Sequence, residues 1–107
     1  MKSKAESMDT ANMDNQAEST RASILVVDDD PINLNILGAL LQPHYDVSAA
    51  PSGERALEIA VATPKPDLIL LDVLMPGMDG FAVLARLRAD PASRDIPVIF
   101  VTGMDAA

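Results

Sequence analysis

The chain has 107 residues, which is room for a single domain, and 49% of them are apolar, which is enough to build a core. The sequence contains no cysteine, which excludes disulfides and thiolate metal sites, and its apolar runs are too short to span a bilayer. A cytoplasmic protein is therefore expected. The formal net charge of −8 argues against a nucleic-acid-binding surface and is compatible with binding of a divalent cation.

The beginning of the chain differs in composition from the rest. Residues 1–22 are polar, lack hydrophobic periodicity and hold few large apolar side chains. Such a segment cannot bury enough apolar surface to fold by itself. The sequence therefore predicts a disordered leader over residues 1–22, followed by one domain over residues 23–107.

The first predicted strand and helix come directly after this leader. Residues 24–27 form a continuous apolar run rich in β-branched side chains, which is typical of a strand buried on both faces. Asp30 is placed to cap a helix with Pro31 at its first position, and Pro43 ends that helix. The apolar face of this helix is predicted to consist of Ile32, Leu34, Ile36, Leu37, Leu40 and Leu41.

The same alternation continues along the rest of the chain. Further strands are predicted at 45–49, 67–72 and 96–101. Ser52 is predicted to cap the second helix, and a third helix is predicted to cover residues 81–90. Strands that alternate with single helices over short connections predict βαβ units and a parallel sheet. The fold class is therefore expected to be α/β, with helices on both faces of the sheet.

Acidic side chains follow two of the predicted strands. Asp28 and Asp29 end the first strand, Asp72 ends the third, and Thr102 follows the fourth. The carboxyl ends of parallel strands lie at one edge of a sheet, so these groups converge if the first and third strands are neighbours. A single Asp at such a position usually caps a helix or is solvated. Three aspartates at the ends of apolar strands indicate a binding site.

Carboxylates that converge repel one another, and a bound divalent cation removes that repulsion. Oxygen ligands select Mg²⁺, Mn²⁺ or Ca²⁺ over zinc. Mg²⁺ fits best, because it binds few protein ligands and keeps several waters. His44, the single histidine, lies after the first predicted helix at the opposite end of the strands, and it is excluded as a ligand.

Three segments of the sequence resemble the receiver domains of two-component response regulators: ILVVDDDPIN, PDLILLDVLMPGMDGF and DIPVIFVTGMD. The resemblance covers residues 23–107 and implies a flavodoxin-like, doubly wound parallel sheet of strand order 2-1-3-4-5. It implies that Asp72 accepts a phosphoryl group and that Asp28 and Asp29 bind Mg²⁺ beside it. It also implies that Leu74 offers its backbone carbonyl to the metal.

The resemblance extends to the signalling residues and partners. Thr102 matches the hydroxyl that hydrogen-bonds the phosphoryl group and moves on activation. Gly77 and Gly80, in the loop after the third strand, are free to adopt positive φ, although an ordinary turn would also explain them. The resemblance further implies that a histidine kinase or phosphotransfer protein donates the phosphoryl group, and that an output domain beyond residue 107 receives the signal.

The sequence departs from the family pattern near residue 107. Receivers place a lysine at the end of a fifth strand, where it contacts the phosphoryl oxygens, but the last lysine here is Lys65. The fifth strand and the last helices are also missing. The chain is therefore interpreted either as a fragment of a longer protein, which we favour, or as a degenerate receiver. The fourth strand then lies at a sheet edge, and dimers, aggregates or a loosened fold are expected.

Two other functions are weighed against a phosphoacceptor. A phosphatase with an aspartyl nucleophile places a second acid two residues later, but that position holds Leu74, which argues against an enzyme acting on external substrates. A pseudo-receiver that acts only as an interaction module stays open because the lysine is missing. The preferred hypothesis is a phosphorelay module that catalyses only its own phosphorylation and dephosphorylation.

Overall fold

The computed structural model describes residues 21–101 of the chain. Strands and helices alternate along this segment: β1 (Ser23–Val27), α1 (Pro31–Leu41), β2 (Asp46–Ala50), α2 (Gly53–Val61), β3 (Leu68–Leu71), α3 (Gly80–Ala89) and β4 (Val98–Phe100). Thr102 and all but the last two residues of the predicted leader lie outside the described residues. Across residues 21–101, every helix is too short or too polar to cross a membrane.

The four strands form one parallel sheet in the order β2-β1-β3-β4. In the register, Val27 of β1 lies opposite both Ala50 of β2 and Leu71 of β3. Leu71 in turn lies opposite Phe100 of β4. The predicted α/β class and the flavodoxin-like order are confirmed, and the carboxyl ends of the strands lie together at one edge.

Each helix begins at a side chain that accepts a hydrogen bond from the backbone of its first turn. Asp30 accepts from the Ile32 amide at 2.9 Å, as predicted, and Pro31 is the first helical residue. Ser52 accepts from the Arg55 amide at 3.2 Å, also as predicted. Asp79 caps α3 in the same way. These oxygens satisfy amides that have no partner within the helix.

The main core lies between the sheet and the helices α2 and α3. Side chains alternate between the two faces of a strand, so Leu25 and Val27 of β1 point to the same side. Both belong to the buried cluster, which also includes Ile69, Leu71, Ala56, Ala60, Val83 and Leu87. The small alanines of α2 let the helix approach the sheet closely, while the larger residues fill the space around them.

The α1 helix packs less completely than its sequence predicts. Leu34, Leu37 and Leu41 are half-buried, and the helix contacts β1 and β2. In contrast, Ile32, Ile36 and Leu40 are exposed, at 66%, 46% and 66%. Residues spaced four apart share one side of a helix, and in α1 this side points away from the sheet. The six residues predicted to form one apolar face therefore divide into a half-buried set and an exposed set of three each.

Two connections are held by arginine side chains. Arg21, within the predicted leader, donates to the carbonyls of Gln42 and Tyr45 between α1 and β2. Arg88 of α3 donates to the carbonyls of Arg94 and Ile96 at 2.8 and 2.9 Å, in the segment that leads to β4. These bonds fix the backbone of both turns, which lie at the edge opposite the acidic residues.

Candidate functional site

Register places the acidic residues beside one another. Asp28 directly follows Val27 and Asp72 directly follows Leu71, and Val27 and Leu71 are partners across the β1–β3 pair. The ladder continues one residue further, because the Asp72 amide donates to the Val27 carbonyl at 2.9 Å. The Asp28 amide donates to the Ala50 carbonyl at 3.1 Å. Backbone hydrogen bonds thus hold both aspartates on adjacent strands at the carboxyl edge.

The three predicted aspartates meet at this edge. One carboxylate oxygen from each of Asp28, Asp29 and Asp72 lies within 4.8 Å of the others. Asp28 and Asp72 are each 3% exposed, whereas Asp29 is open to solvent. Buried carboxylates at this separation are costly without a counter-charge, and hard oxygen ligands of this kind suit Mg²⁺. The geometry therefore fits a divalent cation.

Asp28 is held by two donors. Its Oδ1 accepts from the Asp30 amide at 2.9 Å, and its Oδ2 accepts from Nδ2 of Asn33 at 3.2 Å. Sequence reasoning missed Asn33. The signal that could have found it is its position: Asn33 is a polar residue among apolar ones, in the helix that follows the acidic pair. A polar helix residue is usually exposed to solvent, so this position alone does not indicate a buried contact.

The loop after Asp72 is shaped by two glycines. Gly77 has a φ of +75°, as predicted. Gly80 is instead a helical residue, and what it requires is space: a Cβ there would lie 2.4 Å from the carbonyl oxygen of Asp72. Its amide donates to the Val73 carbonyl at 2.9 Å. The start of α3 is therefore packed directly on the backbone of the predicted phosphoacceptor.

The remaining predicted residues are placed as follows. The Leu74 amide approaches Oδ1 of Asp72 at 3.4 Å, while the Leu74 side chain is 66% exposed. The role of the Leu74 carbonyl as a metal ligand stays a prediction. Thr102 lies outside the described residues. His44 is exposed in the turn between α1 and β2, away from the acidic edge.

Comparisons with known proteins agree on one family. The family model described as "Response regulator receiver domain" matches residues 24–107. The chain is 52% identical over 85 residues to the response regulator PleD of Caulobacter vibrioides, and the match covers 78% of this chain but 18% of that protein. The chain therefore spans less than a fifth of the length of this curated relative.

Solved structures give the same result. The N-terminal domain of a response regulator receiver protein from Methanoculleus marisnigri superposes with a TM-score of 0.69 at 48% identity, covering 73% of this chain and 63% of that one. The receiver domain of a sensor histidine kinase from Pseudomonas aeruginosa superposes with a TM-score of 0.73 at 30% identity, covering 81% and 71%. That structure has a magnesium ion coordinated in its active-site cleft. The chain belongs to the response regulator receiver domain family.

Proposed function

We propose that this chain is a phosphoacceptor module, in which Asp72 receives a phosphoryl group from a histidine kinase or phosphotransfer protein. The observation that carries the proposal is the convergence of three carboxylates within 4.8 Å at the carboxyl edge of the sheet. Asp72 directly follows the inner strand β3 and is buried, and it is the residue that the family resemblance places as the phosphoacceptor. Asp28 and Asp29 are the residues that, together with Asp72, would hold Mg²⁺.

The transfer follows from ordinary carboxylate chemistry. An ionised Asp72 oxygen attacks phosphorus and forms a C(O)O–P bond, while the P–N bond to the donor imidazole breaks and its electron pair stays on nitrogen. Asp72 is a weak nucleophile whose charge repels the incoming group. Bound Mg²⁺ supplies the positive charge that offsets this repulsion. The Leu74 amide, 3.4 Å from Oδ1 of Asp72, would help to orient the carboxylate for this attack.

The proposal extends to residues and partners around this centre. The Leu74 carbonyl is proposed as a further metal ligand, and Thr102 as the hydroxyl that binds the phosphoryl group and signals its presence. The phosphoryl group adds charge and acceptor oxygens at the sheet edge, which is a local change that an output domain can sense. Such an output domain is proposed as a partner of this receiver, and a cytoplasmic setting suits such a relay.

Phosphorylation tests the proposal directly. Incubation with Mg²⁺ and acetyl phosphate is expected to add one phosphoryl group to the protein and release acetate, with intact-mass spectrometry as the measurement. Asp72→Asn is expected to abolish the added mass. Asp67→Asn is the matched control, because Asp67 lies just before the same strand at its opposite end. A protein that binds Mg²⁺ but takes no phosphoryl group would instead be an interaction-only receiver.

Metal binding is tested separately by thermal unfolding. A ligand that binds only the folded state stabilises it, by about 2.7 kcal/mol at a concentration one hundred times its Kd. Mg²⁺ is therefore expected to raise the Tm, and Asp29→Asn is expected to remove most of the rise. Asp95→Asn removes the same charge from an exposed turn and is expected to leave the rise intact. A Tm that Mg²⁺ does not move in the folded protein would contradict the convergent site.

A further inference from the structure

Asn33 occupies an unusual position in α1. It is 6% exposed, while large apolar residues on the same helix, such as Ile32 and Leu40, are 66% exposed. Burying a primary amide is unfavourable unless hydrogen bonds replace those it made with water. The most buried side chain of α1 is therefore polar, and its amide needs a hydrogen-bond partner inside the protein.

The partner of Asn33 is the Asp28 carboxylate. Nδ2 of Asn33 lies 3.2 Å from Oδ2 of Asp28, and the bond is buried. An ionised carboxylate has no proton to donate, so only the amide nitrogen, and not the amide oxygen, can form this bond. The other oxygen of Asp28 accepts from the Asp30 amide at 2.9 Å. Two donors from different directions fix the rotation of the carboxylate plane, and each oxygen keeps a second lone pair.

The chemistry of an amide suits this place. A lysine or arginine would also hold Asp28, but its positive charge would compete with a cation at the three carboxylates. An amide donates a hydrogen bond and leaves the net charge of the cluster unchanged. Mutation of a group that orients a metal ligand in this way typically lowers metal affinity by about ten- to a hundredfold.

We propose that Asn33 is a positioning residue, which holds the Asp28 carboxylate in the orientation that binds Mg²⁺. This inference rests on the metal site of the proposed function and adds a residue to it. Asn33 acts through Asp28 and touches neither the cation nor the phosphoryl group. Its loss leaves all three aspartates in the chain but lets Asp28 rotate, so metal affinity falls.

The test is calorimetric titration of the full chain with Mg²⁺ alone. Asn33→Leu keeps the side-chain size and removes the donor, and it is expected to weaken Mg²⁺ binding about tenfold or more. Asn35→Leu is the matched control, because Asn35 lies on the same helix two residues later and is exposed. The control is expected to bind Mg²⁺ with the affinity of the wild type.

A purely structural role for Asn33 is distinguished by comparing affinity with stability. Urea unfolding without metal measures stability, and in a structural role Asn33→Leu would lower stability while the folded fraction binds Mg²⁺ normally. That result overturns the inference. If circular dichroism shows that the leucine variant does not fold, Asn33→Ala is titrated in its place with Asn35→Ala as control. Failure of the wild type to bind Mg²⁺ would overturn the metal site as well, so the two failures are distinguishable.

Discussion

Gly80 is the residue at which α3 meets the end of β3. An alanine there would place its Cβ 2.4 Å from the Asp72 carbonyl oxygen and 2.8 Å from the Val73 Cα, and backbone atoms cannot move aside cheaply. We expect Gly80→Ala to lower the free energy of unfolding by about 1–3 kcal/mol, the usual range for an overpacked site. Urea denaturation is the measurement.

Gly38 provides the control for this prediction. It lies inside α1, and a Cβ added there meets no atom within 4 Å. Alanine is favoured over glycine inside a helix by about 0.5–1 kcal/mol, so Gly38→Ala is expected to raise the free energy of unfolding. Opposite signs for the two substitutions would support the steric argument. Equal effects would show that Gly80 is only a helix residue of low propensity.

At this scale the sequence predicted the acids of the site but not their surroundings. Asp28, Asp29 and Asp72 could be grouped because each follows an apolar strand, and parallel strands end at a common edge. Asn33 and Gly80 could not, because the importance of Asn33 depends on a single hydrogen bond to Asp28, and that of Gly80 on free space beside a backbone atom. Neither property leaves a repeating pattern in the chain.

Among the elements, the connection from α3 to β4 depends on Arg88. Its guanidinium donates to the backbone carbonyls of Arg94 and Ile96. Removal of the side chain would take these hydrogen bonds from both carbonyls. We expect Arg88→Ala to lower the free energy of unfolding by about 1 kcal/mol, because the contacts are partly exposed. Chemical denaturation of Arg88→Ala and Arg86→Ala measures the difference.

Arg86 is a suitable control because both arginines lie in the last turn of α3. They interact similarly with the negative end of the helix, so their comparison isolates the carbonyl contacts. Arg86→Ala is expected to change stability by a smaller amount. If the two variants are equally stable, the contacts of Arg88 contribute nothing measurable to the turn.

The elements themselves were predictable because their patterns are strong. Continuous apolar runs predicted the strands β1 and β3, and the caps Asp30 and Ser52 predicted where α1 and α2 begin.

The bounds of β4 were less predictable, since 96–101 was expected and Val98–Phe100 is observed. Pro97 has no amide to donate, although its carbonyl still accepts from the Ile69 amide at 3.0 Å, so the regular strand begins only at Val98. The exposed side of α1 was not predictable, because helical spacing does not say how much of a helix its neighbours cover.

On the scale of the whole molecule, β4 is an outer strand of the described sheet. Its central residue, Ile99, is 53% exposed, while Val98 and Phe100 pack against the core. An outer strand with an exposed apolar side chain favours pairing with another copy. We expect the protein to self-associate at high concentration and Ile99→Lys to reduce this, as measured by size-exclusion chromatography with light scattering.

Val61→Lys separates an edge effect from a general effect of charge. Val61 is 42% exposed at the end of α2, where no strand edge is available. Its substitution by lysine adds the same charge and is expected to leave the oligomeric state unchanged. A wild-type protein that stays monomeric at all concentrations would contradict this prediction outright.

The β1–β3 register also has a consequence for folding kinetics. Asp28 and Asp72 are brought together only when these strands pair, and α1, β2 and α2 lie between them in the chain. Contacts between distant segments form late, because closing the loop costs entropy first. We therefore expect Mg²⁺ to stabilise the native state more than the transition state for folding. Stopped-flow experiments are expected to show slower unfolding in Mg²⁺ with an unchanged refolding rate, so that the ion lengthens the life of the folded protein without helping it to form.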